Sequence, residues 1–146
     1  MRKLAIVYFS HEGSTEWIAR QLRLACVEEA IEPTLIVATE ADVDDLLAYD
    51  AYAFGSPDYL GYMAGAMKTV FDLLSAFRPV IVGRPFVAFT TYQAEHSTAL
   101  KSLNELGQAV GLHQAHPGLS WKLGPRAPVA DTCVEMIAAI LKRLNP

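Results

Sequence analysis

Apolar and polar positions fall in blocks along the chain, and the period changes from block to block. Leu4-Ala5-Ile6-Val7-Tyr8-Phe9 is a continuous β-prone run, the pattern of a strand buried on both faces. Beyond Ser10 to Thr15, Ile18, Leu22, Ala25 and Cys26 line one side of a helix, and Pro33 ends that region. Thr34 to Ala38 reads as a second strand, and Val43 to Leu47 as a short acidic helical turn. Ala51 to Phe54 forms a third strand, closed by Gly55-Ser56-Pro57. The clearest helix follows, with Met67, Val70, Phe71, Leu74 and Phe77 at three- and four-residue steps. Phe86 to Thr90 is a fourth strand, and Ala99, Leu103, Leu106 and Val110 mark a fourth helix. Leu112 to Ala115 makes a poor fifth strand, whose polar His113 and Gln114 place it at a sheet edge. Trp121 falls in the loop before a last helix that carries Cys133, Met136, Ile137, Ile140, Leu141 and Leu144.

Strand and helix therefore alternate five times. Right-handed crossovers turn that order into a parallel sheet with helices on both faces. The expected fold is an α/β, doubly wound three-layer sandwich with a five-stranded parallel sheet in order 2-1-3-4-5. Residues 1–146 read as a single domain without repeat or linker. Ligands of such sheets bind beyond the carboxyl ends of the strands, near the switch point between strands 1 and 3. That singles out the loops after strand 1 (Ser10 to Thr15), strand 3 (Ser56 to Tyr62) and strand 4 (Thr90 to His96).

Composition narrows the function classes. With 52% apolar and 19% charged residues the chain fills a core, which excludes disorder, collagen and coiled coil. A net charge of −4 argues against a general nucleic-acid binder. No apolar run is long enough to span a membrane, and the six apolar residues from Leu4 to Phe9 are too few for a signal peptide. Cys26 and Cys133 both lie in apolar helical patterns and read as buried free thiols, which fits a soluble cytoplasmic protein. Charge is unevenly spread. Leu24 to Met67 contains nine acids and no Lys or Arg, so this stretch carries −9 and the rest +5. Such a block is either an ordinary solvated face or a docking surface.

The three loops carry the candidate chemistry. In the first, Gly13 permits a tight turn, Ser10, Ser14 and Thr15 offer hydroxyls, and the helix that follows leaves its first amides unpaired. Hydroxyls and free amides without Lys or Arg suit a phosphate held by neutral hydrogen bonds, although a plain helix N-cap has the same composition. In the second, Ser56-Pro57-Asp58-Tyr59-Leu60-Gly61 presents an aromatic and an apolar side chain against which a flat ring can lie. In the third, Thr91-Tyr92-Gln93 can close the opposite side of the same crevice. His96 reads as a capping or surface residue near the next helix start. His113 and His116 are spaced to fall on opposite faces of a strand, so no metal site is expected.

Two segments carry a family resemblance. Ser10-His11-Glu12-Gly13-Ser14-Thr15 resembles the FMN-phosphate loop of the flavodoxin family, Ser/Thr-x-Thr-Gly-x-Thr, with Glu12 standing where Thr is common. Gly55 to Met63, continuing through Met67-Lys68 to Phe71-Asp72, resembles the second signature of flavodoxin-like proteins. It is most similar to the branch of NAD(P)H:quinone oxidoreductases of the Trp-repressor-binding-protein type. The resemblance implies an FMN cofactor, its phosphate on Ser10 to Thr15 and its ring between Pro57–Gly61 and Thr91–Gln93.

Three functions follow from that resemblance. One is an enzyme that passes electrons from NAD(P)H through FMN to a quinone or similar small acceptor, with no catalytic side chain required. Another is a flavodoxin-type carrier that docks to redox proteins, which the acidic block fits. The third is a regulatory domain without flavin, supported only by Glu12. The resemblance implies neither nucleic acid nor membrane as partner and leaves a homodimer open.

Overall fold

The computed structural model describes all residues, Met1 to Pro146. Six strands, β1 (Arg2–Tyr8), β2 (Ile31–Val37), β3 (Ala51–Pro57), β4 (Pro85–Tyr92), β5 (His113–Gln114) and β6 (Leu119–Lys122), form one sheet. Its order is β2-β1-β3-β4-β5, with β6 also on β4, and every pairing is parallel. Six helices surround it: α1 (Ser14–Ala25), α2 (Val43–Leu46), α3 (Gly65–Ser75), α4 (Arg78–Ile81), α5 (Ala99–Ala109) and α6 (Ala127–Leu144). The expected topology is the observed one.

The apolar run of β1 divides by alternation. Leu4, Ile6 and Tyr8 point into a core shared with α1 and α6, where they meet Ile18, Leu22, Met136 and Ile140. Ala5 and Val7 point the other way, into a core with Phe54, Met67, Phe71 and Leu103 from β3, α3 and α5. Both faces are covered, so a central parallel strand reads as uninterrupted apolar sequence. β2 is an edge strand and is only half-buried. Pro33 lies inside it, opposite Leu4, and does not end the preceding helical region as its sequence position suggests. An edge strand tolerates a residue without an N–H.

The structure corrects three further boundaries. Gly55, Ser56 and Pro57 continue β3, pairing with Tyr8, Thr90 and Thr91 instead of beginning a loop. Thr91 and Tyr92 likewise belong to β4. The fifth position in the sheet is shared by two short strands on the same edge of β4. β5 pairs with Pro85 and Phe86, and β6 pairs with Phe89 to Tyr92. Between them His116 sits outside any strand and accepts from the Gly118 amide through Nδ1 at 2.9 Å. Trp121 is therefore a strand residue, buried in the core, with its ring 5.3 Å from that of Trp17.

Candidate functional site

The ends of β1, β3 and β4 bring the three loops to one crevice. Its volume is about 320 Å³, and it is lined by His11, Glu12, Pro57, Asp58, Tyr59, Thr91, Tyr92, Gln93, Ala94 and Leu123. The location is the carboxyl end of the central strands, where a doubly wound sheet presents its switch point.

The first loop is built on Gly13, which holds φ at +105°. Gly13 donates its amide to Ser10 Oγ at 3.1 Å, which closes the turn. The first helical amide with a backbone acceptor is that of Trp17, on the Gly13 carbonyl at 2.9 Å. The earlier amides of α1 stay available at the positive end of the helix dipole. Thr15 is buried, and its hydroxyl pairs with that of Thr91 at 2.9 Å, which fixes the start of α1 against the end of β4. Ser14 Oγ donates to Glu12 Oε1 at 2.9 Å. Tyr8 donates its hydroxyl to Glu16 at 2.9 Å, and burial, then this bond, pushes the phenol above its ordinary range.

The second loop is a tight hairpin. Tyr59 and Tyr62 exchange backbone bonds of 2.8 and 3.1 Å across Leu60 and Gly61, whose φ values are +55° and +83°. Two consecutive positive φ angles are those of a type I′ turn, which glycine adopts readily and leucine does not. Leu60 is fully exposed at the tip, with Tyr59 and Tyr62 partly exposed beside it. Tyr59 also meets Phe9 edge-on, with ring centroids 6.3 Å apart.

Asp58 anchors this hairpin. Its Oδ1 accepts from the Gly61 amide at 2.7 Å, and its Oδ2 accepts from Ser97 Oγ at 2.6 Å and from the Thr98 and Ala99 amides at 3.2 and 3.3 Å. The carboxylate thus caps α5 from a different loop, while Thr98, at the cap position, makes no side-chain cap of its own. The backbone amide of Asp58 donates to the Thr91 carbonyl at 2.9 Å, so the second loop is tied to the third.

Of the residues singled out in the sequence, the structure brings His11, Glu12, Pro57, Asp58, Tyr59, Thr91, Tyr92 and Gln93 to the crevice wall. Ser10, Gly13, Ser14 and Thr15 form the adjoining loop and helix start, and Leu60 and Gly61 form the hairpin tip. Ser56 is turned away. It is fully buried, donates to the Pro57 carbonyl and accepts from the Ala64 amide, both at 2.8 Å. Sequence reasoning missed Leu123, and it placed Ala94 in the third loop without naming it as part of the wall. Leu123 reaches the crevice because β6 runs to its floor, and its amide bonds the Tyr92 carbonyl at 2.9 Å.

Neutral donors beside two tyrosines, with no Lys or Arg in the wall, suit a phosphorylated aromatic ring system. The family of NADPH-dependent FMN reductases matches residues 10–121, which span all three loops. The chain belongs to this family. FMN is accordingly its cofactor, and a nicotinamide donor fits the family. Solved structures agree in fold. A flavodoxin from the domain Archaea is 23% identical, covers 98% of this chain and 99% of its own, and superposes with a TM-score of 0.87. Flavodoxin 2 from Bacillus cereus is 23% identical over 97% and 99% of the two chains, with a TM-score of 0.84. The rubredoxin oxygen:oxidoreductase of Desulfovibrio gigas is 20% identical over the whole of this chain but only 38% of its own, with a TM-score of 0.85. No helix is long and apolar enough to cross a membrane.

Proposed function

We propose that this flavoprotein is an FMN-dependent oxidoreductase that passes electrons from NAD(P)H to a quinone or similar small acceptor, as in the quinone-oxidoreductase branch. The observation that carries this reading is the crevice itself, an open aromatic-walled cavity beside a phosphate-type loop in a chain of the NADPH-dependent FMN reductase family. When bound, FMN supplies the hydride and electron chemistry. The chain's own part is positional. Ser10, Gly13, Ser14 and Thr15 would meet the phosphate with hydroxyls and amides, with His11 and Glu12 on the crevice side of the same loop. Tyr59 and Tyr92, with Pro57 and Gln93, would wall the ring, and Leu60 and Gly61 would cover its outer edge. Asp58 would hold the hairpin in shape, and Thr91 the loop against the sheet.

A flavodoxin-type carrier is the second reading. The acidic residues of the turn and helix after β2 (Glu40, Asp42, Asp44 and Asp45) favour it, because they follow one another in the exposed connection from β2 to β3 and could meet a cationic partner. Steady-state assay of the FMN-loaded protein with NADPH or NADH and a soluble quinone separates the two. The enzyme reading expects many turnovers per chain with no other protein present. Turnover only after addition of a flavodoxin reductase would move the assignment to carrier.

A further inference from the structure

The hydroxyl that a phosphate would seek from Ser14 is already engaged. Ser14 Oγ donates to Glu12 Oε1 at 2.9 Å, one residue on either side of Gly13. Glu12 is exposed, lines the crevice, and takes part in none of the ion pairs of the molecule. Its carboxylate therefore stands as a tethered anion at the start of α1, where the dipole and the unpaired amides favour negative charge. No Lys or Arg lines the crevice to offset it; the neighbouring His11 is the one basic side chain in the wall, and it makes no ion pair with Glu12. The guanidinium of Arg126 lies over the Trp17 ring of α1, 4.5 Å from its centroid, and does not line the crevice.

We infer that Glu12 is a specificity-determining residue of the flavin site: it competes with the phosphate of FMN for Ser14 and the α1 amides, and so lowers the preference for FMN over flavin without phosphate. The inference rests on the proposed assignment of Ser10 to Thr15 as the phosphate loop. Charge repulsion and loss of the Ser14 donor act in the same direction, because both exist only when a phosphate arrives. Riboflavin presents no phosphate and feels neither.

The test is equilibrium binding followed by quenching of flavin fluorescence, with FMN and riboflavin as separate probes, on the full chain and on Glu12→Gln and Glu12→Ala. Glu12→Gln keeps a side-chain oxygen near Ser14 and removes the charge, whereas Glu12→Ala removes both. Both variants should bind FMN about fivefold more tightly at low ionic strength, with slower release and unchanged riboflavin affinity. The gap from the wild type should narrow in high salt. Unchanged or weaker FMN binding in both variants overturns the inference, as does an equal gain for FMN and riboflavin. Absence of saturable binding of either flavin to all three proteins would instead overturn the flavin site itself, and the inference with it. Thermal melting of the variants, expected to match the wild type because Glu12 is exposed, excludes misfolding as the cause.

Discussion

At the scale of single residues, backbone conformation decides which positions of the first two loops accept substitution. Gly13 has open space where a Cβ would stand, yet its φ of +105° is one that side chains avoid. Gly13→Ala should therefore strain the loop by about 1–2 kcal/mol, through the backbone and not through crowding. The check is the urea midpoint together with FMN affinity, both of which should fall. Leu60 is the opposite case, a branched side chain at φ +55° with nothing packed on it. Strain of this kind persists where function holds it. Leu60→Gly should raise stability by about 1 kcal/mol and weaken flavin binding, since the apolar cover is lost. A stabilised variant with unchanged flavin affinity would remove Leu60 from the site. The role of Gly13 was legible in the sequence because small hydroxylic residues surround it. The inward turn of Ser56 was not, since its partner, the Ala64 amide, lies eight residues away in a loop without regular pattern.

At the scale of elements, the loops are held by one another more than by their own strands. Asp58 receives four hydrogen bonds, two of them from the first amides at the start of α5. Asp58→Ala would take the carboxylate from the Gly61, Ser97 and Thr98 donors and loosen the hairpin against the start of α5, while the backbone bond from residue 58 to the Thr91 carbonyl stays. A destabilisation of about 2–3 kcal/mol is expected, above that of an ordinary cap loss. Denaturant melts measure it, and flavin affinity should drop with it. Periodicity marks the long helices and the central strands, where every second residue enters a different core. It does not reveal β6, because Leu119 to Lys122 is four residues long, only Trp121 in it is buried, and Gly118 and Gly124 flank it. The sequence therefore indicated the edge position of the fifth strand but not its division into two. Leu123, carried by the second piece, stayed hidden for the same reason.

At the scale of the molecule, two cores lie on either side of one sheet, and each thiol sits in the same one of them. Burial pushes Cys26 and Cys133 from the ordinary 9.0 up to about 12, with Glu29 adding to the shift at Cys26. In the unfolded chain both thiols ionise near the ordinary value, so between pH 9 and 12 the unfolded state carries fewer protons. Stability should then be full below about pH 9 and fall as pH rises toward 12, by about 1.4 kcal/mol per pH unit for each thiol. A pH series of urea midpoints, repeated on Cys133→Ser, tests the slope, which should become shallower in the variant. Native thiols should also resist alkylation at pH 8 until the chain unfolds. Topology was readable at this scale because strand and helix alternate without exception among the central elements. The joining of three loops through Thr15 and Thr91, 76 positions apart, could not be read from any local pattern. The central claim is that this junction holds FMN, and a crystal structure of the FMN-loaded protein tests it most directly. The account predicts the phosphate within hydrogen-bond distance of Ser10 to Thr15 and the ring between Tyr59 and Tyr92. A flavin bound elsewhere, or with its phosphate away from that loop, would contradict it.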